Sequence, residues 1–191
     1  MSLVFLMISS CKKDDPNQNI ETLANTPFQY QLEFDGQTYS ATDGVNGYKN
    51  YSSIYGNTLQ DSIEWGQYSW LTANDPSVSL GIFRSTFKPL GSTYTMDDLR
   101  REYYPGVHTY SNNPDSGISV SFRNNDEYFS NLGTDQFNSN FVIEDTISGS
   151  DYMGPYLKIK ARFNCKVYEL INRDQHLITN GVIICKLQPP Q

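Results

Sequence analysis

The sequence predicts an all-β fold: an antiparallel β-sandwich of the jelly-roll type, with about nine strands and one short helix near residues 96–104. Three observations predict it. The chain contains 14 Tyr and 10 Phe, residues that favour pleated, half-buried surfaces. Several segments alternate apolar and polar residues with a period of two, and turn signals separate them at intervals of roughly ten residues. A length of 191 residues suits one such domain.

The strands are predicted from the N-terminal side onward. Phe28–Phe34 and Gln37–Ala41 alternate, and Asp35-Gly36 between them is a strong signal for a hairpin turn. Residues 42–60 are rich in Gly, Asn, Ser and Tyr and are predicted to form a loop. Further strands are predicted at Ser62–Tyr68, Val78–Phe83, Val107–Tyr110, Ile118–Arg123, Asp126–Ser130 and Asn140–Asp145.

One helix is predicted between the strands. Thr95 is followed three residues later by Asp98, which is close to a capping box. Pro105-Gly106 is expected to end the element. One apolar face is formed by Met96, Leu99 and Tyr103.

The two C-terminal strands carry two cysteines. Tyr156–Tyr168 alternates over its whole length, and Gly181–Leu187 alternates less regularly, with Lys186 directed outward. An antiparallel register with paired residue numbers that sum to about 350 would set Cys165 opposite Cys185 on the core side. A disulfide could form there if the two Cβ atoms lie about 3.5–4.5 Å apart. Two buried free thiols are the alternative, and the sequence does not distinguish them.

An apolar run opens the chain at Leu3–Ile8. It is too short to span a bilayer, which needs about 20 residues, but it suits the end of a signal-peptide hydrophobic region. Ile8-Ser9-Ser10-Cys11 resembles the lipobox of bacterial lipoproteins, which implies cleavage before Cys11 and attachment of lipid to it. A buried strand that ends in Cys is the alternative, and the usual positively charged region before the run is missing.

The predicted organisation has three parts. Residues 1–10 are the signal-peptide remnant, residues 11–26 are the lipid-anchor Cys and a flexible tether, and residues 27–191 are the sandwich domain. Lys12-Lys13-Asp14-Asp15 resembles the export signal of surface-displayed lipoproteins in the Bacteroidetes. That resemblance implies an outer-membrane lipoprotein exposed at the cell surface. A plain solvated linker and an anchor in the periplasmic leaflet are the alternatives.

Five phrases resemble, in their order, the small β-sandwich surface lipoproteins of unknown function from the Bacteroidetes. The phrases are Phe34–Ala41, Tyr104–Tyr110, Ile118–Phe122, Ala161–Cys165 and Ile178–Gly181. The resemblance covers residues 28–187 loosely and implies a fold and a cell-envelope location. It supplies no catalytic residue.

The charge and the motifs exclude several functions. A net charge of −7 argues against nucleic acid as a partner and against attraction to anionic headgroups, so membrane contact is expected through the lipid anchor only. The sequence has no signature of a catalytic triad, a metal site or a nucleotide-binding loop, and no cofactor is predicted. His108 and His176 are expected to be packed or surface residues.

Two classes of function remain. One is a non-enzymatic binding or structural module for a glycan or an envelope protein. The other is a polysaccharide hydrolase with paired carboxylates in a groove. For binding, the candidate stacking residues are Trp65, Tyr68 and Trp70, flanked by three tyrosines at 48, 51 and 55. Filling of the core is the more frequent role of such rings.

A basic outer face is the second candidate binding surface. It could meet an acidic partner, or it could simply keep the sheet soluble, which is the commoner role of such charges. Its members are Lys158, Lys160, Arg162, Lys166 and Lys186.

Overall fold

A computed structural model describes residues 22–59, 62–74, 77–87, 93–111, 117–133 and 135–190. These residues form eleven β-strands, a helix α1 (Met96–Glu102) and one turn of 3-10 helix, Ser130–Leu132. The all-β, antiparallel prediction is confirmed. The strands are β1 Gln29–Phe34, β2 Gln37–Thr42, β3 Lys49–Leu59, β4 Ser62–Thr72, β5 Val78–Phe87, β6 Gly106–His108, β7 Ile118–Asn124, β8 Asp126–Phe129, β9 Asn140–Asp151, β10 Gly154–Glu169 and β11 Gln175–Leu187.

The strands form one hydrogen-bonded sheet in the order β2-β1-β11-β10-β8-β7-β5-β4-β3, with β9 paired to β10 and β6 paired to β9. The sheet curls until β3 meets the end of β11. Side chains make this closure: Asn50 Oδ1 accepts from the backbone N–H of Lys186 at 2.7 Å, and Ser52 Oγ accepts from that of Gln188 at 2.9 Å. The layers of the predicted sandwich are therefore parts of a single, nearly closed sheet.

Local signals form the turn and the helix as predicted. Asp35 and Gly36 have φ values of 49° and 79°, as a primed hairpin turn requires. The capping box is present: Thr95 Oγ1 accepts from the N–H of Asp98 at 3.3 Å, and the Asp98 carboxylate accepts from the Thr95 N–H at 2.9 Å. The buried Leu99 attaches α1 to the core.

The prediction of a loop at 42–60 is wrong for its second part. Lys49–Leu59 is strand β3 and pairs with β4 along its whole length. The usual pattern is missing because the inner face of β3 carries Asn50 and Ser52, which bond to β11 instead of filling an apolar core. The outer face in turn carries Tyr51. A strand whose inward side chains are polar lacks the alternating apolar residues by which a sequence indicates a strand.

The predicted register between β10 and β11 is wrong, although their antiparallel pairing with aligned core faces is confirmed. Cys185 lies opposite Ile159, whereas Cys165 lies opposite Ile178. Six residues along β10 correspond to about 20 Å, so the two thiols are far apart. Both are free and buried, and burial raises the pKa of each to about 12.

A close contact accompanies the observed register. Gly181 lies opposite Phe163, and a Cβ on Gly181 would come within 2.7 Å of the Phe163 ring. The aromatic ring therefore packs over the one residue of β11 that leaves room for it.

Residues at the end of the predicted tether pack against the sheet. Leu23 is buried, and the Lys158 ammonium donates to the carbonyls of Ala24 and Thr26. Residues 1–21, including Cys11, lie outside the described part of the chain.

Candidate functional site

Alternation along β4 directs two of the predicted stacking residues outward. Gln67, Ser69 and Leu71 are fully buried on the inner face. Tyr68 and Trp70, which alternate with them, lie half-buried on the outer face. The backbone of Trp65 pairs with Gly56 in β3, and the side chain of Trp65 lies outside the described part of the structure.

Trp70 belongs to a row of side chains that crosses five neighbouring strands. In β3 it faces Tyr51, and the two rings stack with their centroids 5.9 Å apart at an interplanar angle of 26°. In β5 it faces Gly81, which faces Ser121 in β7. Ser121 in turn faces Phe129 in β8. The row thus runs from two stacked rings, over two small residues, to a third ring.

The two small residues leave a depression of about 220 Å³ between Trp70 and Phe129. A Cβ on Gly81 would lie 2.8 Å from Ser121 Oγ and 3.2 Å from Trp70 Cβ, so glycine keeps the floor open. We call this depression the outer groove. Its further lining includes Tyr68, Ser79, Arg123 and Glu127.

The two ends of the outer groove differ in polarity. At one end, Tyr68 stacks on Phe83, with ring centroids 5.4 Å apart and an interplanar angle of 25°. At the other end, Arg123 forms an ion pair with Glu127, and both side chains are about one-third exposed. The groove therefore offers aromatic walls, a hydroxyl-bearing floor and a charge pair that sums to zero.

A second depression of about 350 Å³ lies where β3 meets β11, and we call it the seam pocket. Tyr51 lines it as well as stacking on Trp70, so the two depressions adjoin at this ring. Tyr152, in the turn between β9 and β10, is 94% exposed beside it. Its charged lining residues are Asp43, Lys49, Asp151 and Lys186.

The basic outer face is not the exposed surface that the sequence predicted. Lys158 and Lys186 are buried, and Lys186 forms an ion pair of 2.7 Å with Asp151. Lys166 Nζ lies 2.5 Å from a carboxylate oxygen of Asp135. The cations are engaged within the chain because carboxylates and carbonyls of neighbouring segments lie over this face of the sheet.

Glu144 pairs with the two remaining cations of this basic surface. Its carboxylate lies 3.0 Å from Lys160 Nζ and also pairs with Arg162. Burial by itself would raise the pKa of Glu144, but the hydrogen bonds and charges of these two cations lower it below its usual value. Four of the five cations are thus paired with carboxylates of the same chain, which weakens their attraction for an acidic partner.

The two histidines have partners that hold them in place. The buried His108 ring bonds through Nε2 to the Tyr104 carbonyl at 2.8 Å, and burial lowers its pKa. His176 Nδ1 lies 2.6 Å from Asp35 Oδ2, and its ring stacks on Phe34. Each imidazole therefore ties one loop or strand to its neighbour.

The described residues contain neither a metal-ligand cluster nor a helix that could span a membrane. None of their His, Cys, Asp and Glu side chains form a group of three that could hold a metal ion. No helix among them has the length and apolar character needed to cross a membrane.

Comparison with known proteins gave no match: neither a protein-family model, nor a curated protein, nor a solved structure corresponds to this chain.

Sequence reasoning identified Tyr68 and Trp70 but missed the other members of the groove. Gly81, Ser121 and Phe129 come from three further strands, and nothing in their own segments marks them as neighbours of Trp70. The missing information was the register between strands, which sequence alternation within one strand does not contain.

Proposed function

We propose that this protein is a non-enzymatic binding module of the bacterial cell envelope and that it holds a glycan in the outer groove. The observation that carries the proposal is the cross-strand row, in which Trp70 and Phe129 stand on either side of Gly81 and Ser121.

The chemistry of the groove suits a sugar. A sugar ring has apolar C–H faces, which pack on aromatic rings, and hydroxyl edges, which need hydrogen-bond partners. Trp70 and Phe129 supply the rings, and Ser121 supplies a hydroxyl between them. Arg123 and Glu127 add a donor and an acceptor at the end of the groove. A small set of polar groups among aromatic walls is typical of ligand sites.

The geometry favours binding over hydrolysis of a sugar chain. Hydrolysis by paired carboxylates needs two acids about 5–9.5 Å apart on either side of the bond. Among the described lining residues of the outer groove, Glu127 is the only carboxylate, and Arg123 engages it. The groove is also a small concavity, whereas a protein partner of standard size covers about 800 Å² on each side.

The test of glycan binding is the variant Trp70→Ala. We expect the wild-type domain to bind at least one glycan of an array, and Trp70→Ala to lose at least about tenfold in affinity because a stacking ring is removed. Phe137→Ala is the matched control, since Phe137 is a 74% exposed ring that lines neither the outer groove nor the seam pocket. Affinity is measured by calorimetry, and folding by the melting temperature.

Two results would count against glycan binding in the outer groove. One is the failure of the wild-type domain to retain any glycan at millimolar concentration. The other is a Trp70→Ala variant that binds as tightly as wild type. A large fall in melting temperature for Trp70→Ala would instead assign Trp70 to packing.

The proposed location rests on Ile8-Ser9-Ser10-Cys11 and the charged residues that follow it. We expect the thiol of Cys11 to be lipidated and the domain to be displayed on the outer membrane. Expressed with a complete leader, the protein should incorporate radioactive palmitate and partition into detergent. Equal labelling of Cys11→Ala would contradict lipidation at this residue.

A further inference from the structure

We infer that the ligand is an uncharged chain of several sugars that lies across the strands, from Phe129 over Tyr51 and into the seam pocket. This inference rests on the proposed function and specifies its ligand class.

The two depressions are linked by a pair of stacked rings, since Trp70 lines the outer groove and Tyr51 lines the seam pocket. Tyr51 is 42% exposed, stacks on Trp70 at the edge of the outer groove and also lines the seam pocket. A chain lying in the groove therefore reaches the seam pocket without leaving an aromatic surface.

The distance across the row requires a chain. Phe129 and Tyr51 lie on strands that are four positions apart in the sheet, with β7, β5 and β4 between them. At about 4.8 Å between neighbouring strands, the row spans about 19 Å. The seam pocket extends the surface further, to the Tyr152 ring. One sugar ring would cover only a fraction of this length.

The turn that carries Tyr152 is held in place. Asp151 Oδ1 accepts from the backbone N–H of Met153 at 2.9 Å, and Asp151 Oδ2 pairs with Lys186 at 2.7 Å. An almost fully exposed ring on an anchored turn contributes little to packing, yet it stands beside a concavity. Such a ring is available as an additional stacking surface for the far end of the chain.

The charges of both depressions balance. In the outer groove, Arg123 pairs with Glu127. In the seam pocket, Lys186 pairs with Asp151, and Lys49 is offset by Asp43. Neither depression presents a net charge, and the whole chain carries −7, which repels polyanions at long range. These balances favour neutral sugars over uronates or sulfated sugars.

The experiment measures affinity against chain length. The probes are manno- and xylo-oligosaccharides of two to six units, with oligogalacturonides of equal length as the anionic probe. We expect affinity for one neutral series to rise by at least about tenfold between two and six units, and the oligogalacturonides to bind more weakly. Tyr152→Ala should remove most of this rise while leaving the affinity for the two-unit probe unchanged, and Tyr152→Phe should restore it.

The outcomes separate the inference from the proposed function. Equal affinity for two and six units, with both abolished by Trp70→Ala, would overturn the extended chain and leave glycan binding intact. Tighter binding of oligogalacturonides would overturn the neutral ligand. If no probe binds, the inference falls, and the glycan array then decides separately whether the proposed function falls with it.

Discussion

The inner and outer faces of the same four strands, β4, β5, β7 and β8, differ in how completely they are filled. The inner row is closed, with each side chain at most 8% exposed, and consists of Leu71, Leu80, Phe122 and Tyr128. The adjacent outer row is open at its centre and consists of Trp70, Gly81, Ser121 and Phe129. Both rows use one backbone ladder, but Phe34 of β1 packs on Phe122 and Tyr128 of the inner row, whereas the outer row has two small residues at its centre.

The largest difference in stability is expected between variants of two neighbouring residues in β7, Phe122 and Ser121. Phe122→Ala should lower the free energy of unfolding by about 3–5 kcal/mol, because it opens a cavity in the closed row. Ser121→Ala, on the open face, should change it by about 0.5 kcal/mol or less. Urea unfolding of both variants measures the difference. Similar losses at both positions would show that the outer row is packed like the inner one.

A smaller loss of stability is expected for a substitution on the polar inner face of β3. Asn50 donates to Ser69 Oγ and to the Trp70 carbonyl, and accepts from the Lys186 N–H. Asn50→Ala should destabilise by about 1–3 kcal/mol, because buried partners lose their bonds. Ser53→Ala, on the exposed outer face of β3, is the control. Equal stability of the two variants would mean that Asn50 does not close the sheet.

The smallest effect concerns pH and the buried His108 beside the helix end. Burial lowers its pKa, and the Arg84 charge acts in the same direction, while the Tyr104 carbonyl and Glu102 oppose both. The unfolded chain therefore takes up the proton more readily, and stability should fall as the pH drops through the ordinary histidine value of about 6.5. His108→Gln should flatten the profile between pH 7.5 and 5.5.

Val107→Ala is the control for this profile, since Val107 is 70% exposed in the same strand. An unchanged slope in His108→Gln would exclude His108 as its source.

Three carboxylates have pKa values below their ordinary ones because cations bind them. Lys166 lowers the pKa of Asp135, Lys160 and Arg162 lower that of Glu144, and Lys186 lowers that of Asp151. Each ionised carboxylate therefore stabilises the fold at any pH above its ordinary pKa of about 4. This stabilisation is lost as the pH falls below about 4 and the carboxylates take up protons.

Elements that depend on neighbours in sequence were predictable. Asp35-Gly36 forms the hairpin turn, and Thr95 with Asp98 caps α1, because each needs only local backbone geometry. The alternation of Tyr156–Tyr168 likewise predicted which residues of β10 face the core. Strand β3 was missed because its inward polar residues acquire partners only when β11 lies beside them.

The sequence by itself determined the all-β class and that Tyr68 and Trp70 share one face of their strand, because side chains alternate along any strand. Only the tertiary structure decided that Gly81 and Ser121 lie beside Trp70 and that Cys185 lies far from Cys165. Those neighbours are set by register, which depends on how segments distant in sequence pack together. The groove exists only after that packing has occurred.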